Sequence, residues 1–303
     1  MKNLFLVNPC AGKGDGLKKK VAEIEAYCAK NSVEYEIYYT KAPLDGIKFL
    51  KEYLAKDDHV RVYAFGGDGT LFEAINAAAE FENAEIGIFP LGSGNDFVRV
   101  FNDKTKFLEI ENQLEGEAVV LDMMKCNNTY AISQCSMGMD AETCANQVRF
   151  KKIPLITGET AFQLSAVYCL LNKMSNEFTI KVDDEPEYTK ELLFCLGANS
   201  RWYGGGYKGA PDALPNDGYI DLVTIEKVSK LKLLGLLGKY KKGEHKDLPI
   251  TTIKRCKKVV IKAKKEAAVN VDGECFYTHE TEFEIVPNKI KFIIPKGCHM
   301  MLD

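Results

Sequence analysis

Four strand-like runs in the first hundred residues each lead into a loop rich in glycine or proline and then into a helical pattern. Leu4–Val7 precedes a helix near Leu17–Lys30, and Tyr35–Thr40 precedes one near Gly46–Leu54. Val60–Phe65 is followed by Gly-Gly-Asp-Gly and a helix through Ala79; Glu85–Phe89 is followed by Pro90, Gly-Ser-Gly and a short helix. Strands separated by helices of this length predict parallel β-α-β units with helices on both sheet faces. The period changes after about Leu121. Short alternating runs then dominate: Tyr130–Ser133, Phe178–Val182, Glu191–Leu196, Tyr219–Ile225, Lys258–Ala263, Phe283–Val286 and Lys289–Ile294. Asp183-Asp184, Asn216-Asp217-Gly218 and Pro287-Asn288 punctuate them as turns. An α/β domain over 1–122 and an all-β sandwich over 123–294 follow, the second with helical insertions at Thr160–Leu171 and Val228–Tyr240.

A chain of 303 residues has room for two such domains at roughly 150 residues each. Its net charge of −3 excludes a globally basic nucleic-acid binder, but the sum hides an asymmetry. Thirteen Lys and one Arg against Glu244 and Asp247 give Lys227–Lys265 a local +12, which leaves −15 elsewhere. Ten cysteines are scattered without a C-x-x-C, so neither a zinc cage nor a thioredoxin-type pair is indicated. Most lie among apolar neighbours and are expected to be reduced and buried. Leu4–Val7 is too short for a signal sequence, and the 11-residue apolar stretch Ala161–Leu171 is too short to span a bilayer. The expectation is a cytoplasmic protein, at most peripheral to a membrane.

Three loops stand where open parallel sheets bind ligands, at the carboxyl ends of the strands. They are Asn8-Pro9-Cys10-Ala11-Gly12-Lys13-Gly14, Gly66-Gly67-Asp68-Gly69-Thr70, and Leu91-Gly92-Ser93-Gly94-Asn95-Asp96. Glycines allow close backbone approach to a phosphate, and the following helix N-terminus favours an anion. Thr70-x-x-Glu73 reads as a capping box. Asp68-Gly69 could be a hairpin turn, but Leu71–Ala79 is helical in pattern and no strand returns. Neither the Walker spacing nor the Rossmann G-x-G-x-x-G spacing is present. Lys13 suits a phosphate contact or a solvated loop position.

Together these loops resemble the diacylglycerol kinase catalytic family, in particular its soluble bacterial lipid kinases. The similarity continues through Tyr203-Gly204-Gly205-Gly206, Asp217-Gly218-Tyr219-Ile220-Asp221 and Val271-Asp272-Gly273-Glu274, and so covers most of the chain. Gly-Gly-Asp-Gly-Thr alone is shared with NAD kinases and phosphofructokinases. The resemblance implies an NAD kinase/diacylglycerol kinase-like α/β nucleotide domain and a β-sandwich domain, with ATP and substrate meeting in the cleft between them. It also implies that residues 295–303 return to the first domain. Asn8, Pro9, Cys10, Ala11, Gly12, Thr40, Gly66, Gly67, Asp68, Gly69, Thr70, Leu71, Phe72 and Ser93 match nucleotide-contacting positions. Asp68 and Asp96 match the acidic residues around the phosphates and catalytic Mg²⁺, and Glu274 matches the general base. Leu214, Asp217 and Tyr219 match a separate structural Mg²⁺ site, partly through backbone oxygens, although Pro215-Asn216 departs from the usual acidic stretch. A homodimer is also implied.

The chemistry agrees: phosphoryl transfer needs charge neutralisation and alignment, and Mg²⁺ prefers carboxylates, water and phosphate oxygens. Asp122 and Asp272 could support such a site or be ordinary strand-end and turn residues; Val271–Glu274 reads as a hairpin turn. Cys275-x-x-x-His279 is an isolated pair and no metal site. Leu233, Leu236, Leu237 and Tyr240 form one apolar helical face beside seven lysines between Lys227 and Lys246. That segment either packs on the sandwich with lysines outward or rests on anionic lipid. Thr160–Leu171 reads as core or as an acyl-chain lining. The reading is a lipid kinase, diacylglycerol to phosphatidic acid. The alternatives are phosphatidylglycerol, a sphingoid base or ceramide, NAD as acceptor, or a nucleotide-binding regulator without turnover.

Overall fold

The computed structural model describes residues 2–12, 16–56, 59–151, 153, 156, 158–172 and 175–301. Lys13 and the last two residues of the 295–303 segment lie outside them. The chain divides into two compact units, one formed by 1–121 with 288–303 and the other by 122–287.

Unit 1 begins β1 (Lys2–Val7), α1 (Gly16–Asn31), β2 (Tyr35–Tyr39), α2 (Asp45–Leu54), β3 (Val60–Gly66), α3 (Asp68–Ala78) and β4 (Ala84–Pro90). β1 pairs in parallel with both β2 and β3, and β3 with β4. Leu4 to Val7 are fully buried, as a parallel strand covered on both faces requires. On one face α1 lays Leu17, Val21, Ile24 and Cys28, spaced by one or two helical turns, against Phe5, Val7, Tyr63, Phe65 and Phe89. The Phe5 and Tyr63 rings stack at 5.2 Å. Residues 91–116 carry a 3-10 turn at Phe97–Val100, another at Lys104–Leu108, and α4 (Ile110–Leu114).

Unit 2 is antiparallel. After β5 (Glu117–Cys126), which carries the chain across the boundary, come β6 (Thr129–Ala131), β7 (Gln134–Gly138), α5 (Met139–Lys151), α6 (Gly158–Asn172), β8 (Asn176–Val182) and β9 (Tyr188–Ala198). Then follow β10 (Ile220–Glu226), α7 (Lys230–Lys242), β11 (Thr251–Cys256), β12 (Lys258–Val271) and β13 (Glu274–Ile294). β9 pairs with β7, β8 and β10, while β12 pairs with β7, β8 and β13. Ser229 caps α7 by accepting from the Lys232 N–H at 3.4 Å, and Gly243 ends it at φ 80°.

Several features differ from the sequence reading. Pro287-Asn288 is no turn: β13 runs through it, and Asn288 takes φ 53° within the strand. Asparagine tolerates that conformation, so the chain bends without stopping. The return to unit 1 therefore starts before residue 295, and Lys291 and Phe292 already pair in parallel with β4. β7 and α5 were not foreseen. The α5 sequence shows no dominant apolar stripe, and its position is set by packing against α6, β7 and β12.

The expected capping box is absent. Gly67 precedes α3 and no side chain caps it. Glu73 turns instead to the start of α2, where its carboxylate accepts from the Leu44 N–H at 3.2 Å and the Gly46 N–H at 2.7 Å. Leu44 sits at φ 65°, a conformation strained for leucine, which those bonds hold in place. Glu73→Ala should therefore lower unfolding free energy by about 2 kcal/mol, measured by urea denaturation, with Glu73→Gln costing less.

Candidate functional site

In unit 1 the ends of β1, β3 and β4 bring the three glycine loops side by side. The Asn8 N–H donates to the Phe65 carbonyl at 3.1 Å, and the Leu91 N–H to the Gly66 carbonyl at 2.7 Å. Asn8 shapes its own loop: its Oδ1 accepts from the Cys10 N–H at 2.9 Å, its carbonyl accepts from Ala11, and Gly12 turns the chain at φ 79°. Thr40 follows β2, its N–H on the Val7 carbonyl at 2.9 Å. The second and third loops touch through bare backbone, since a Cβ on Gly67 would lie 2.9 Å from the Gly92 Cα. Only glycine permits that approach.

Asp68 opens α3, but its carboxylate is not simply presented outward. Oδ2 accepts from the Asn95 N–H at 2.7 Å and Oδ1 from the Asp96 N–H at 2.8 Å. Each oxygen retains a second lone pair for a cation or a water. Burial raises the Asp68 pKa first, and the charge of Asp96 raises it further, against those two N–H groups. Asp96 is buried and accepts from Arg99 Nε at 3.1 Å, while Arg99 also donates to the Gly94 carbonyl at 3.0 Å. Two neighbouring carboxylates that repel each other fit a divalent cation, which relieves both at once.

The remaining nucleotide positions divide by exposure. Gly69 and Ser93 are exposed. Pro9 and Cys10 are too, but Leu71 and Phe72 are buried and give their side chains to the core. The N–H groups of Thr70 and Leu71 close on the Gly67 carbonyl at 3.0 and 3.1 Å. Thr70 Oγ1 is buried without a hydrogen-bond partner.

In unit 2, Val271-Asp272-Gly273-Glu274 is the hairpin turn joining β12 to β13, with Asp272 at φ 45°, Gly273 at φ 105° and Val271 paired to Glu274. Asp272 anchors it. Its carboxylate accepts from the backbone N–H groups of Ile132 (2.6 Å), Ser133 (3.1 Å) and Gln134 (2.8 Å), and its own N–H donates to the Gln134 carbonyl. The Gly273 N–H donates to Asn270 Oδ1 at 2.7 Å. Glu274, two residues on, is exposed at the first position of β13. Asp272 thus fixes the turn that presents Glu274. Asp122 works similarly, accepting from the Gly218 N–H at 2.7 Å while its own N–H reaches the Pro215 carbonyl.

At the expected structural metal site of Leu214, Asp217 and Tyr219, the one carboxylate already has a positive partner. Arg255 pairs with the Asp217 carboxylate, lies 4.6 Å over the Tyr219 ring and reaches Asp221 at 3.7 Å. The guanidinium already supplies the positive charge, and Arg255 is remote in sequence from the motif. Among the described residues no group of three His, Cys, Asp or Glu side chains could hold a metal.

A profile for the diacylglycerol kinase catalytic domain matches residues 2–126, and one for the YegS C-terminal NAD kinase beta sandwich-like domain matches residues 133–294. The chain belongs to the diacylglycerol kinase family. It is a lipid kinase. A diacylglycerol kinase from Staphylococcus saprophyticus is 30% identical over 275 residues, 89% of this chain and 88% of that one. One from Staphylococcus carnosus is 29% identical over 272 residues, 89% and 87% of the two chains. The fold is that of a diacylglycerol kinase crystal structure from Bacillus anthracis, at TM-score 0.70 and 21% identity over 98% of this chain and 97% of that one. An NAD kinase from Archaeoglobus fulgidus in complex with ATP shares it more distantly, at TM-score 0.52 and 14% identity over 98% and 94% of the chains.

This diacylglycerol kinase family member also carries a buried acid that no motif announced. Neither carboxylate oxygen of Asp140, in α5, has a well-formed hydrogen bond, although the Ser136 and Tyr203 side chains face it. Burial lifts its pKa from 3.8 to about 6. The folded state therefore holds this proton where the unfolded chain has lost it. The stabilisation is complete below pH 3.8 and is lost as pH rises through 6. Asp140→Asn should remove that loss: variant minus wild-type unfolding free energy should increase by up to about 3 kcal/mol from pH 4 to pH 7 in denaturant titrations.

Proposed function

We propose that this lipid kinase transfers the γ-phosphate of ATP to the hydroxyl of diacylglycerol, giving phosphatidic acid, while resting on an anionic membrane surface. The observation that carries the lipid-surface part is an apolar face on two helices of unit 2. Leu164, Val167 and Leu171 share the outer side of α6, and Leu231, Leu234 and Leu237 that of α7, with Leu231 83% exposed. The two helices are tied where Lys230 Nζ donates to the Leu171 carbonyl at 3.1 Å. Much of the local +12 is neutralised: Lys227, Lys246, Lys254, Arg255 and Lys258 meet Glu191, Asp212, Glu185, Asp217 and Glu282. Among the described residues, Lys230, Lys232, Lys239, Lys241 and Lys242 of α7 meet no carboxylate. Exposed leucines edged by lysines that meet no carboxylate suit a bilayer with acidic headgroups. Among the described residues no helix is long and apolar enough to cross a membrane.

The loops after β1, β3 and β4 would take the nucleotide phosphates, beside the positive end of the α3 dipole. Asp68 and Asp96 would hold Mg²⁺, which when bound neutralises the charge of the transferring phosphate. Asp68 also keeps the second and third loops in register, so its role is mechanical as well as electrostatic. Glu274 would accept the proton of the attacking hydroxyl and orient its oxygen, and Asp272 would hold the turn that aims it.

Labelled ATP offered with diacylglycerol, phosphatidylglycerol, a sphingoid base, ceramide and NAD tests the assignment. Diacylglycerol should give the highest kcat/KM, and label on NAD alone would overturn it. Glu274→Gln should lower kcat by about 10²–10⁴ with the KM for ATP and the thermal midpoint little changed. A rise confined to the ATP KM would make Glu274 a binding residue instead. Replacing Leu231 and Leu234 together by Ser should weaken binding to anionic vesicles by at least about tenfold in sedimentation assays. Turnover of a dispersed short-chain substrate should be unchanged.

A further inference from the structure

Two cysteines flank the turn that carries Glu274. Cys144 lies on α5 and Cys275 is the second residue of β13. Both sulfurs reach the same carbonyl, that of Gly273, at 3.5 Å from Cys144 and 3.9 Å from Cys275. Cys144 is also the largest single influence on the Cys275 thiol. Both are partly accessible, whereas the other touching pair, Cys126 and Cys135, is fully buried.

We propose that Cys144 and Cys275 are a modification site for hydroperoxides, closing to a reversible disulfide that stops phosphoryl transfer. Cys144, burial and the nearby charges of Asp140 and Glu274 raise the Cys275 pKa. The thiolate form is the nucleophile, and the attack is assigned to Cys144, whose sulfur lies 3.5 Å from the turn carbonyl. It displaces hydroxide from the peroxide and becomes a sulfenic acid. Cys275 next attacks that sulfur, its proton leaving with the sulfenic oxygen as water. The pair gives up two electrons and two protons, and one peroxide becomes two waters. An external dithiol reverses the step.

The functional consequence follows from distance along the chain. A disulfide draws two sulfurs to about 2.05 Å, much closer than two thiols approach. Cys275 must be pulled toward α5, and the adjacent Glu274 moves with it. Glu274 is exposed at the first ladder position after the turn, paired with Val271, so a pull on Cys275 shifts its backbone and carries its carboxylate off the attacking hydroxyl. Catalysis tolerates little such displacement. This last step rests on the assignment of Glu274 as base; formation of the disulfide does not.

The full-length protein, reduced and freed of reductant, is titrated with hydrogen peroxide and divided for peptide mapping and kinase assay. The expected result is a linked Cys144–Cys275 peptide, kcat lowered by at least about tenfold, and recovery of both with dithiothreitol. Cys144→Ser should keep its activity through the same treatment. Glu274→Gln should still form the link, so a failed base assignment is read from its kinetics under reducing conditions and not confused with a failed thiol site. Absence of the linked peptide overturns the proposal. So does a linked protein of unchanged activity, or equal inactivation of Cys144→Ser.

Discussion

One carboxylate gripping two backbone N–H groups organises the glycine loops of unit 1. Asp68 begins a helix on one strand end, yet its oxygens hold Asn95 and Asp96 on the loop after the next strand. Such charge-assisted bonds are short and strong, and they fasten loops that glycines alone would leave free. The direct contact of Gly67 with Gly92 depends on the same grip. Spacing between the loops is set by side-chain chemistry acting on main chain.

Unit 2 uses the same device. Asp272 gathers three successive N–H groups of residues 132–134, Asp122 secures Gly218, and Asp183 accepts from Lys257 and Lys258. Glu73 does this between two helices of unit 1. Acidic residues here act chiefly as clamps on loops. Leaving a buried N–H unpaired costs about 1–3 kcal/mol, so each clamp stabilises its loop appreciably while leaving the neighbouring residue available for chemistry.

What could be read from the chain follows from the range of the forces involved. β1, β3 and β4 were legible because a doubly covered parallel strand must be apolar throughout, and the glycine loops because few residues allow that backbone. Helix α7 was legible from its leucine spacing. α5 was not, since tertiary packing rather than a periodic stripe holds it. Glu73 misled because a capping pattern is local while its actual partner lies 27 residues away at Gly46. Asp140 was hidden for a related reason: nothing in Met-Gly-Met-Asp-Ala shows that both its oxygens are shielded from water. The clamp on the Glu274 turn was equally illegible, because the three N–H groups it binds lie some 140 residues earlier.

The pairing of Arg255 with Asp217 has a consequence for how the loop that carries Asp217 answers to its ionic surroundings. A soluble ion occupies a loop only as far as its concentration exceeds a dissociation constant, and a chelator can remove it. A guanidinium attached to β11 is held at a local concentration set by the chain itself. The loop from residue 214 to 219 thus draws on a positive charge that the chain itself carries.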